Sequence, residues 1–511
     1  MTNDSSSGKK CGLAFILWTL IVLTALFHLA AALKGQARYR DQHIGTALHY
    51  AATQFDLQHT IIPGFNASDS PTIQELPVWQ MTVGVMFKLF GTWWGWANLV
   101  SLLLFYSALY PLFAVVKQFY GDRVAWWALI FFLSQGLIFI YAGEAGTDGF
   151  CLAVSLWFWF ACVRLLASPV KWFLPAALFG ALTAVSKLPF FMAVGLAAFF
   201  LLLKERGFKL RDLAALAGVG AVSGIIFLAW TRYTDALQTE AAFRYVDLRL
   251  NAPATNGTTM WFWYFGDWHY RLNPANWIKA AWRFAGAGFG SFTLIPLFVW
   301  ALLGRGTHPA AKFLLAGSLL VTLVFTHLIL HHYNYLMLYS PAVAILGAAG
   351  WGKIEAALWE RKMNPRVVTG VAALILLLAL FQGLISMRAF TVDYFPAQIT
   401  AAIREHTAAT DKLIVINGGW GGDELTRTGR TGLSMWNAKA FEDADQAAQL
   451  KKLGYTRLVI VSQSPYQNAV QIINPGQTAL PRTLAKQFLT PLVTGWPTVY
   501  ATEDLIIKTI P

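Results

Sequence analysis

Residues 150–206 read FCLAVSLWFWFACVRLLASPVKWFLPAALFGALTAVSKLPFFMAVGLAAFFLLLKER, which is three apolar runs joined by two short turns. The runs extend from Phe150 to Ala167, from Trp172 to Ser186 and from Pro189 to Leu203. A helix that crosses a bilayer needs about 20 mostly apolar residues, and each run is at or near that length. Basic residues border the first turn and follow the third run, while the second turn holds Lys187 alone. The stretch therefore predicts three consecutive membrane helices whose turns alternate between a basic and a less basic side.

Apolar runs of this kind continue along the chain as far as Met387. In order they are Cys11 to Leu33, Asn98 to Val116, Val124 to Ala142, the three runs above, Leu213 to Trp230, Phe284 to Leu303, Phe313 to Leu330, Tyr335 to Gly350 and Val367 to Met387. The composition agrees, because 56% of the 511 residues are hydrophobic and only 13% are charged. The sequence therefore predicts a polytopic α-helical membrane protein with about 11 transmembrane helices.

Basic residues collect in alternate connections between these runs, which fits the formal net charge of +13. Lys and Arg are enriched in cytoplasmic loops, so this charge indicates membrane topology, and no nucleic-acid partner is expected. The turns 143–148 and 331–334 hold no Lys or Arg. We expect a cytoplasmic N-terminus and extracytoplasmic (periplasmic or extracellular) loops 34–97 and 231–283, with an extracytoplasmic tail, in a bacterial inner (plasma) membrane.

The composition changes after Met387, where short apolar runs replace the long ones. Four segments favour strands: Lys412 to Asn417, Arg457 to Val461, Thr498 to Ala501 and Leu505 to Lys508. Asp443 to Leu453, between the first two, favours a helix. The sequence thus predicts a transmembrane domain over residues 1–387 and a small extracytoplasmic α/β domain over residues 388–511.

Acidic residues stand out in the predicted outer segments. Asp41 lies just beyond the first span, where a cleft open to water and lipid would let it take a proton from a hydroxyl. Capping of a helix that begins near His43 is the alternative for Asp41. Glu144 and Asp148 share one short turn, and such carboxylates near lipid tend to have a partner, either a divalent cation or an Arg from the loop 231–283. N-capping of the fourth span is the alternative for Asp148.

Two other outer turns carry polar side chains. The ammonium of Lys187 suits a lipid phosphate, and snorkelling to the interface is the alternative. His331 and His332 stand near Tyr335 between the ninth and tenth runs. Adjacent histidines seldom point at one ion, so an ordinary polar turn is the alternative there.

The outer loop Thr231 to Arg283 combines cations with aromatic residues. Its cations include Arg232, Arg244, Arg249, Arg271 and Lys279, and its aromatic run extends from Trp261 to Tyr270. Aromatic faces beside cations suit a substrate with an apolar chain, a phosphate and a sugar ring. An aromatic belt at the membrane interface is the alternative, and it accounts for the tryptophans better than for the cations.

The order and sidedness of these motifs resemble the GT-C glycosyltransferases, most closely the branch of protein O-mannosyltransferases and lipid A aminoarabinose transferases. The resemblance covers roughly residues 35–345 by motif. Asp41 matches the first acid of an Asp-Glu pair, Glu75-Leu76-Pro77 matches Glu-Lys-Pro, Asp148 matches the acid of the second outer loop, and Lys187-Leu188-Pro189 and His331 through Tyr335 match later turns. Gln42, Leu76 and Asn334 depart from that pattern, standing where Glu, Lys and Arg are common.

The resemblance implies an inverting transferase that uses a sugar on polyprenyl phosphate and acts on a lipid, glycan or protein hydroxyl of the cell envelope. Asp41 and Asp148 would be the catalytic residues. The substrate-binding residues would be Glu75, Glu144, Lys187, Arg232, Arg244, Arg249, His331, His332 and Tyr335. The cofactor is unknown, with a divalent metal ion on Asp148 and Glu144 as one prospect. A membrane transporter and a non-catalytic scaffold for envelope assembly remain as alternatives.

Overall fold

The computed structural model describes residues 5–33, 41–62, 75–239, 259–285, 294–387, 397–416, 423–435, 444–462 and 484–511. The contacts divide the chain into two units. The first unit comprises Met1–Ala30, Leu99–Trp230 and Trp261–Met387, and the second comprises Ala31–Asn98, Thr231–Met260 and Arg388–Pro511. The predicted domain boundary between residues 387 and 388 stays a prediction, because the second unit also takes in the segments predicted as outer loops.

Helices make up most of the described chain. In order they are α1 (Ser5–Leu33), α2 (Asp41–Ala52), α3 (Val78–Phe90), α4 (Gly95–Ser107), α5 (Leu109–Tyr120), α6 (Asp122–Ser134), α7 (Gly136–Tyr141), α8 (Thr147–Ala167), α9 (Pro169–Ser186), α10 (Leu188–Arg206), α11 (Leu210–Thr239), α12 (Met260–Phe265), α13 (Trp268–Leu272), α14 (Pro274–Arg283), α15 (Leu294–Leu303), α16 (Ala310–Val324), α17 (Thr326–His331), α18 (Ser340–Glu360), α19 (Pro365–Met387), α20 (Ala397–His406), α21 (Asp423–Thr428), α22 (Ala444–Lys452) and α23 (Pro491–Thr494). A 3-10 segment, Tyr333–Tyr339, precedes α18.

Seven helices within the described ranges are long and apolar enough to cross a membrane. They are Gly12–Ala30, Gly95–Tyr120, Thr147–Ala167, Pro169–Ser186, Leu188–Arg206, Leu210–Thr239 and Asn334–Glu360. Shorter apolar helices cover Val78–Phe90, Leu294–Leu303, Ala310–Val324 and Pro365–Leu378. The prediction of a polytopic helical membrane protein is confirmed, whereas the count of eleven crossing helices is not.

Two of the predicted spans are interrupted by a residue with non-helical backbone. The run from Val124 to Ala142 breaks at Gln135, whose backbone is extended (φ −67°, ψ 130°) between α6 and α7. The run from Phe313 to Leu330 breaks at Phe325 between α16 and α17. Non-helical backbone at membrane depth requires partners inside the protein. At the first break the fully buried Gln135 donates its side-chain amide to the carbonyl oxygen of Ser340 at 3.0 Å, and α7 and α17 both pack on the 3-10 segment.

The C-terminal part of the second unit contains a five-stranded sheet. Its strands are β1 (Lys412–Ile416), β2 (Thr431–Met435), β3 (Tyr455–Val461), β4 (Thr498–Ala501) and β5 (Leu505–Thr509), in the order β2-β1-β3-β5-β4. β1 pairs in parallel with β2 and β3, while β5 pairs antiparallel with β3 and β4. The four predicted strands and the helix α22 are present, and β2 was not predicted. The turn at residues 418–422 lies outside the described residues.

Candidate functional site

The acid of the second outer turn lies at the start of α8. Gly146, in extended conformation, is the N-cap of this helix, and Asp148 is its second residue. Asp148 is therefore not the cap, but a carboxylate in the first turn is still stabilised by the positive end of the helix. Gly149 permits the close approach of α7, since a Cβ there would lie 2.4 Å from the carbonyl oxygen of Tyr141. The side chain of Asp148 is buried.

The lysine of the next outer turn reaches this acid. Lys187 is the extended residue between α9 and α10, and Pro189 fixes the first turn of α10. Its ammonium forms an ion pair with Asp148, and both side chains are buried. The ammonium also lies 4.7 Å from the ring centre of Tyr335. A buried cation requires a counter-charge, and the carboxylate and the aromatic face supply favourable charge on two sides of Lys187.

A third residue completes the cluster, and sequence reasoning missed it. Asn334, buried in the 3-10 segment, donates its side-chain amide to Oδ1 of Asp148 at 2.9 Å. The sequence holds one indication that Asn334 belongs to the site: it stands where an arginine is common in the family that the chain resembles. In this chain the position supplies an uncharged donor, so it fixes the carboxylate without adding a second positive charge.

Histidine and aromatic rings extend from this cluster within the first unit. The ring of Trp263 lies 5.1 to 5.4 Å from those of His327, His331 and His332. His332 lies 6.2 Å from Tyr335, the residue that contacts Lys187. His327 is tied to the chain of Trp263 by a contact of 2.9 Å between its Nδ1 and the Trp263 carbonyl oxygen. His331 is exposed, and the rings of Trp263, His332 and Tyr335 are half-buried.

The predicted metal ligands do not form a metal site with the described residues. Oδ1 of Asp148 accepts hydrogen bonds from an ammonium and from an amide, which are donor groups that a cation would have to displace. Glu144 is buried, and its carbonyl oxygen accepts a hydrogen bond from the Ser101 hydroxyl at 2.6 Å. Across the described ranges no three His, Cys, Asp or Glu side chains are arranged to hold an ion.

Asp41 opens α2 in the second unit, and its side chain lies outside the described residues. The helix itself is firmly packed. It lies against α3, where the side chains of His43 and Gln80 are in contact at 3.0 Å, and against α21 of the C-terminal part. The phenol of Tyr50 contacts the Thr60 hydroxyl at 2.5 Å, and burial raises the pKa of Tyr50 to about 12. The backbone that carries Asp41 is thus held by elements distant in sequence.

Four further residues were predicted to bind substrate, namely Glu75, Arg232, Arg244 and Arg249. Glu75 is half-buried just before α3, and Arg232 is exposed on α11. Arg244 and Arg249 lie outside the described residues. The substrate roles of these four residues stay predictions.

The aromatic run of residues 261–270 divides into two parts. Trp263 faces the histidines, whereas Trp261 and Trp268 are largely exposed. Arg271, grouped with the loop cations above, binds two backbone carbonyl oxygens, those of Phe265 and Val324, each at 2.8 Å. Its guanidinium therefore has a structural role.

Comparisons with known proteins bear on the whole chain. No family model matches it, and no curated protein matches it significantly. The crystal structure of ArnT from Cupriavidus metallidurans bound to undecaprenyl phosphate matches with a TM-score of 0.60 and 13% identity, over 96% of this chain and 98% of that one. The apo structure of the same protein matches with a TM-score of 0.59 and 14% identity, over 96% and 97%. The chain has a GT-C fold. The apo oligosaccharyltransferase of Archaeoglobus fulgidus matches with a TM-score of 0.47 and 10% identity, over 87% of this chain and 69% of that one.

Proposed function

We propose that this chain is a membrane glycosyltransferase that moves a sugar from a polyprenyl-phosphate donor to an extracytoplasmic hydroxyl of a lipid, glycan or protein. The observation that carries the proposal is the GT-C fold shared over 96% of the chain with ArnT, a protein whose structure holds undecaprenyl phosphate. The chain is an integral membrane protein, so a lipid-borne sugar reaches it by diffusion in the bilayer. We place the chain in the inner membrane. The charge asymmetry of the sequence favours an orientation that puts residues 388–511 outside.

The phosphate of the donor is assigned to Lys187. Its ammonium is held by Asp148 and lies against Tyr335, so it is positioned before any ligand arrives. A preorganised charge of this kind stabilises the negative charge that develops on a departing phosphate. Asp148 is then the positioning residue for the ammonium, and Asn334 is the positioning residue for Asp148.

The transfer step is a single displacement. Asp41 accepts the proton of the acceptor hydroxyl, the hydroxyl oxygen bonds to the anomeric carbon, and the bond from that carbon to the phosphate oxygen breaks. The bonding pair leaves with polyprenyl phosphate, and attack from the opposite face inverts the anomeric configuration. A leaving phosphate needs little protonation, so the step requires one base and no separate acid.

The sugar is assigned to the rings beside Tyr335. Trp263, His331 and His332 present aromatic faces for the C–H side of a sugar ring, and the imidazoles both donate and accept hydrogen bonds with hydroxyl groups. These rings all belong to the first unit, and they form a histidine and tryptophan cluster beside the buried ammonium of Lys187.

The decisive experiment supplies purified protein in lipid nanodiscs with a polyprenyl-phosphate sugar or with the matching nucleotide sugar, and an envelope extract as acceptor. Product formation by mass spectrometry is expected with the lipid-linked donor only. Lys187→Met is expected to abolish it, while Lys209→Met, at an exposed lysine, is the matched control. Transfer from the nucleotide sugar without polyprenyl phosphate would overturn the donor assignment.

A transporter is the second candidate, because the breaks at Gln135 and Phe325 are discontinuous helices of the kind that transporters use. The same purified protein, reconstituted in sealed lipid vesicles, separates the two functions. A transporter would move a labelled polyprenyl-phosphate sugar across sealed vesicles without breaking its glycosidic bond, whereas a transferase releases polyprenyl phosphate.

A further inference from the structure

Two short helices expose large apolar side chains: α13, which begins at the end of the aromatic run, and α14, which follows it. On α13 these are Trp268 and Leu272, which are 72% and 73% exposed. On α14 they are Ile278 and Trp282, which are 69% and 62% exposed. Four exposed side chains of this size within 15 residues are unusual for a surface that faces only water.

The side chains of α14 separate into three faces, because successive residues of a helix turn by about 100°. Ile278 and Trp282 are one turn apart and share the outward face. Ala280 is buried, and Trp277 is half-buried on the side toward the protein. Lys279 is exposed at the border of the apolar face, about 60° from Trp282 and about 100° from Ile278 around the helix. The face that points away from the protein is therefore apolar and is bordered by charge, which is the pattern of a helix that lies in a membrane surface.

The depth of these helices follows from their attachment to α16. Arg271 of α13 donates to the carbonyl oxygen of Val324, the last residue of the apolar helix α16. A cation at this position satisfies a carbonyl that has no partner within its helix. The indole of Trp277 in turn donates to the carbonyl oxygen of Arg271 at 2.6 Å, and α13 and α14 both pack on α17. After Phe325 the chain carries Thr326, His327, His331 and His332, so the two helices lie beside a segment that is more polar than α16.

We propose that α13 and α14 form a membrane-surface anchor whose outward face, defined by Trp268, Leu272, Ile278 and Trp282, inserts among lipid headgroups. Tryptophan is enriched at this depth because its ring is apolar and its N–H is polar. The occupant of the face is the bilayer surface and not a second protein, because the adjoining short helix α16 is apolar and itself exposes Leu319, Leu320 and Leu323. The anchor fixes the depth of the ring cluster around Trp263, which precedes α13 by five residues.

The test places an environment-sensitive fluorophore on single cysteines introduced by Ile278→Cys, Trp282→Cys and, on the other helix, Leu272→Cys. Lys279→Cys on the polar side of α14 is the matched control. The parent protein, which carries Cys11 and the buried Cys151 and Cys162, is labelled in parallel as background. Each variant is reconstituted in nanodiscs and quenched either by iodide in the water or by a lipid that carries a nitroxide near its headgroup.

The labels at positions 272, 278 and 282 should be quenched several-fold more by the nitroxide lipid than by iodide, and the label at 279 should show the reverse order. Equal iodide quenching at 278 and 279 would overturn the proposal, because the face would then be in water. Protection from both quenchers in native membranes would also overturn it, since a protein would then cover the face. All four positions are exposed, so the variants are expected to fold, and thermal unfolding checks this.

Discussion

Asn334 donates its side-chain amide to Oδ1 of Asp148 at 2.9 Å, although 186 residues separate the two in the chain. The same oxygen pairs with the ammonium of Lys187. Two donors from two different segments thus fix one carboxylate, and the carboxylate in turn fixes the ammonium. The three residues of the cluster come from segments that are distant in sequence, so no short sequence motif contains all of them.

The first prediction concerns this amide. Asn334→Ala should lower the free energy of unfolding by about 1.5–3 kcal/mol, the usual contribution of a hydrogen bond to a charged group. Asn334→Asp should cost more, because a second carboxylate would repel Asp148 at close range. Thermal unfolding in detergent measures both. Stability of Asn334→Ala equal to that of the parent would show that the amide does not contribute to holding Asp148.

The second prediction is a double-mutant cycle across the ion pair. Lys187→Met and Asp148→Asn should each destabilise by about 3–5 kcal/mol, because each leaves the other partner buried without its counter-charge. The double variant should be less destabilised than the sum of the two, while transfer activity stays absent. Full additivity in unfolding experiments would mean that the two side chains act independently.

The third prediction concerns the proposed base. Asp41→Asn should lower transfer by about 10²- to 10⁴-fold, the usual contribution of general base catalysis, and should leave thermal stability near that of the parent. Asp56→Asn is the matched control, since Asp56 caps the short helix Leu57–His59 of the same segment. A rate within tenfold of the parent would remove Asp41 from this role.

The fourth prediction separates the two parts of the aromatic run. Trp263→Ala should raise KM for the lipid-linked sugar about two- to tenfold, with less change in kcat, because it removes aromatic contacts worth about 0.5–1.5 kcal/mol. Binding of polyprenyl phosphate without a sugar should be unchanged. Trp261→Ala, at a largely exposed ring, is the control. The same KM change in both variants would contradict the sugar assignment.

The fifth prediction concerns topology. A cysteine introduced by Glu405→Cys should react with an impermeant thiol reagent in intact cells, whereas one introduced by Arg361→Cys should react only after lysis. Both positions are exposed, so accessibility of the side chain does not decide the result. The reverse pattern would place the C-terminal part in the cytoplasm.

Most of the fold followed from composition, and the departures have identifiable causes. β1 and β3 each end in four buried apolar residues, at 413–416 and 458–461, and such runs identify central strands. β2 has the sequence Thr-Gly-Leu-Ser-Met and lies at the sheet edge, so its pattern carries little signal. The break at Gln135 was not predicted because the sequence on both sides is apolar, and hydropathy does not distinguish one helix from two.

The site was predicted in part. Asp148 and Lys187 were singled out because charged residues beside apolar spans tend to have partners. The predicted partners were a divalent cation or a loop Arg for Asp148 and a lipid phosphate for Lys187, whereas the structure pairs the two residues with each other. Asn334 was noted only as a departure from a family pattern. Its contact with Asp148 depends on the 3-10 path of Tyr333–Tyr339, which sequence periodicity does not reveal.

The pairing of Asp148 with Lys187 also has a consequence for biogenesis. The two residues are 39 positions apart, and synthesis at about 5–20 residues per second separates their appearance by about 2–8 s. During that interval the carboxylate enters the translocon before its ammonium has been made, and an uncompensated charge within a nascent span costs up to about 3.5 kcal/mol. Helix α8 is therefore expected to gain its full stability in the bilayer only when α9 and the start of α10 have followed and Lys187 has paired with Asp148.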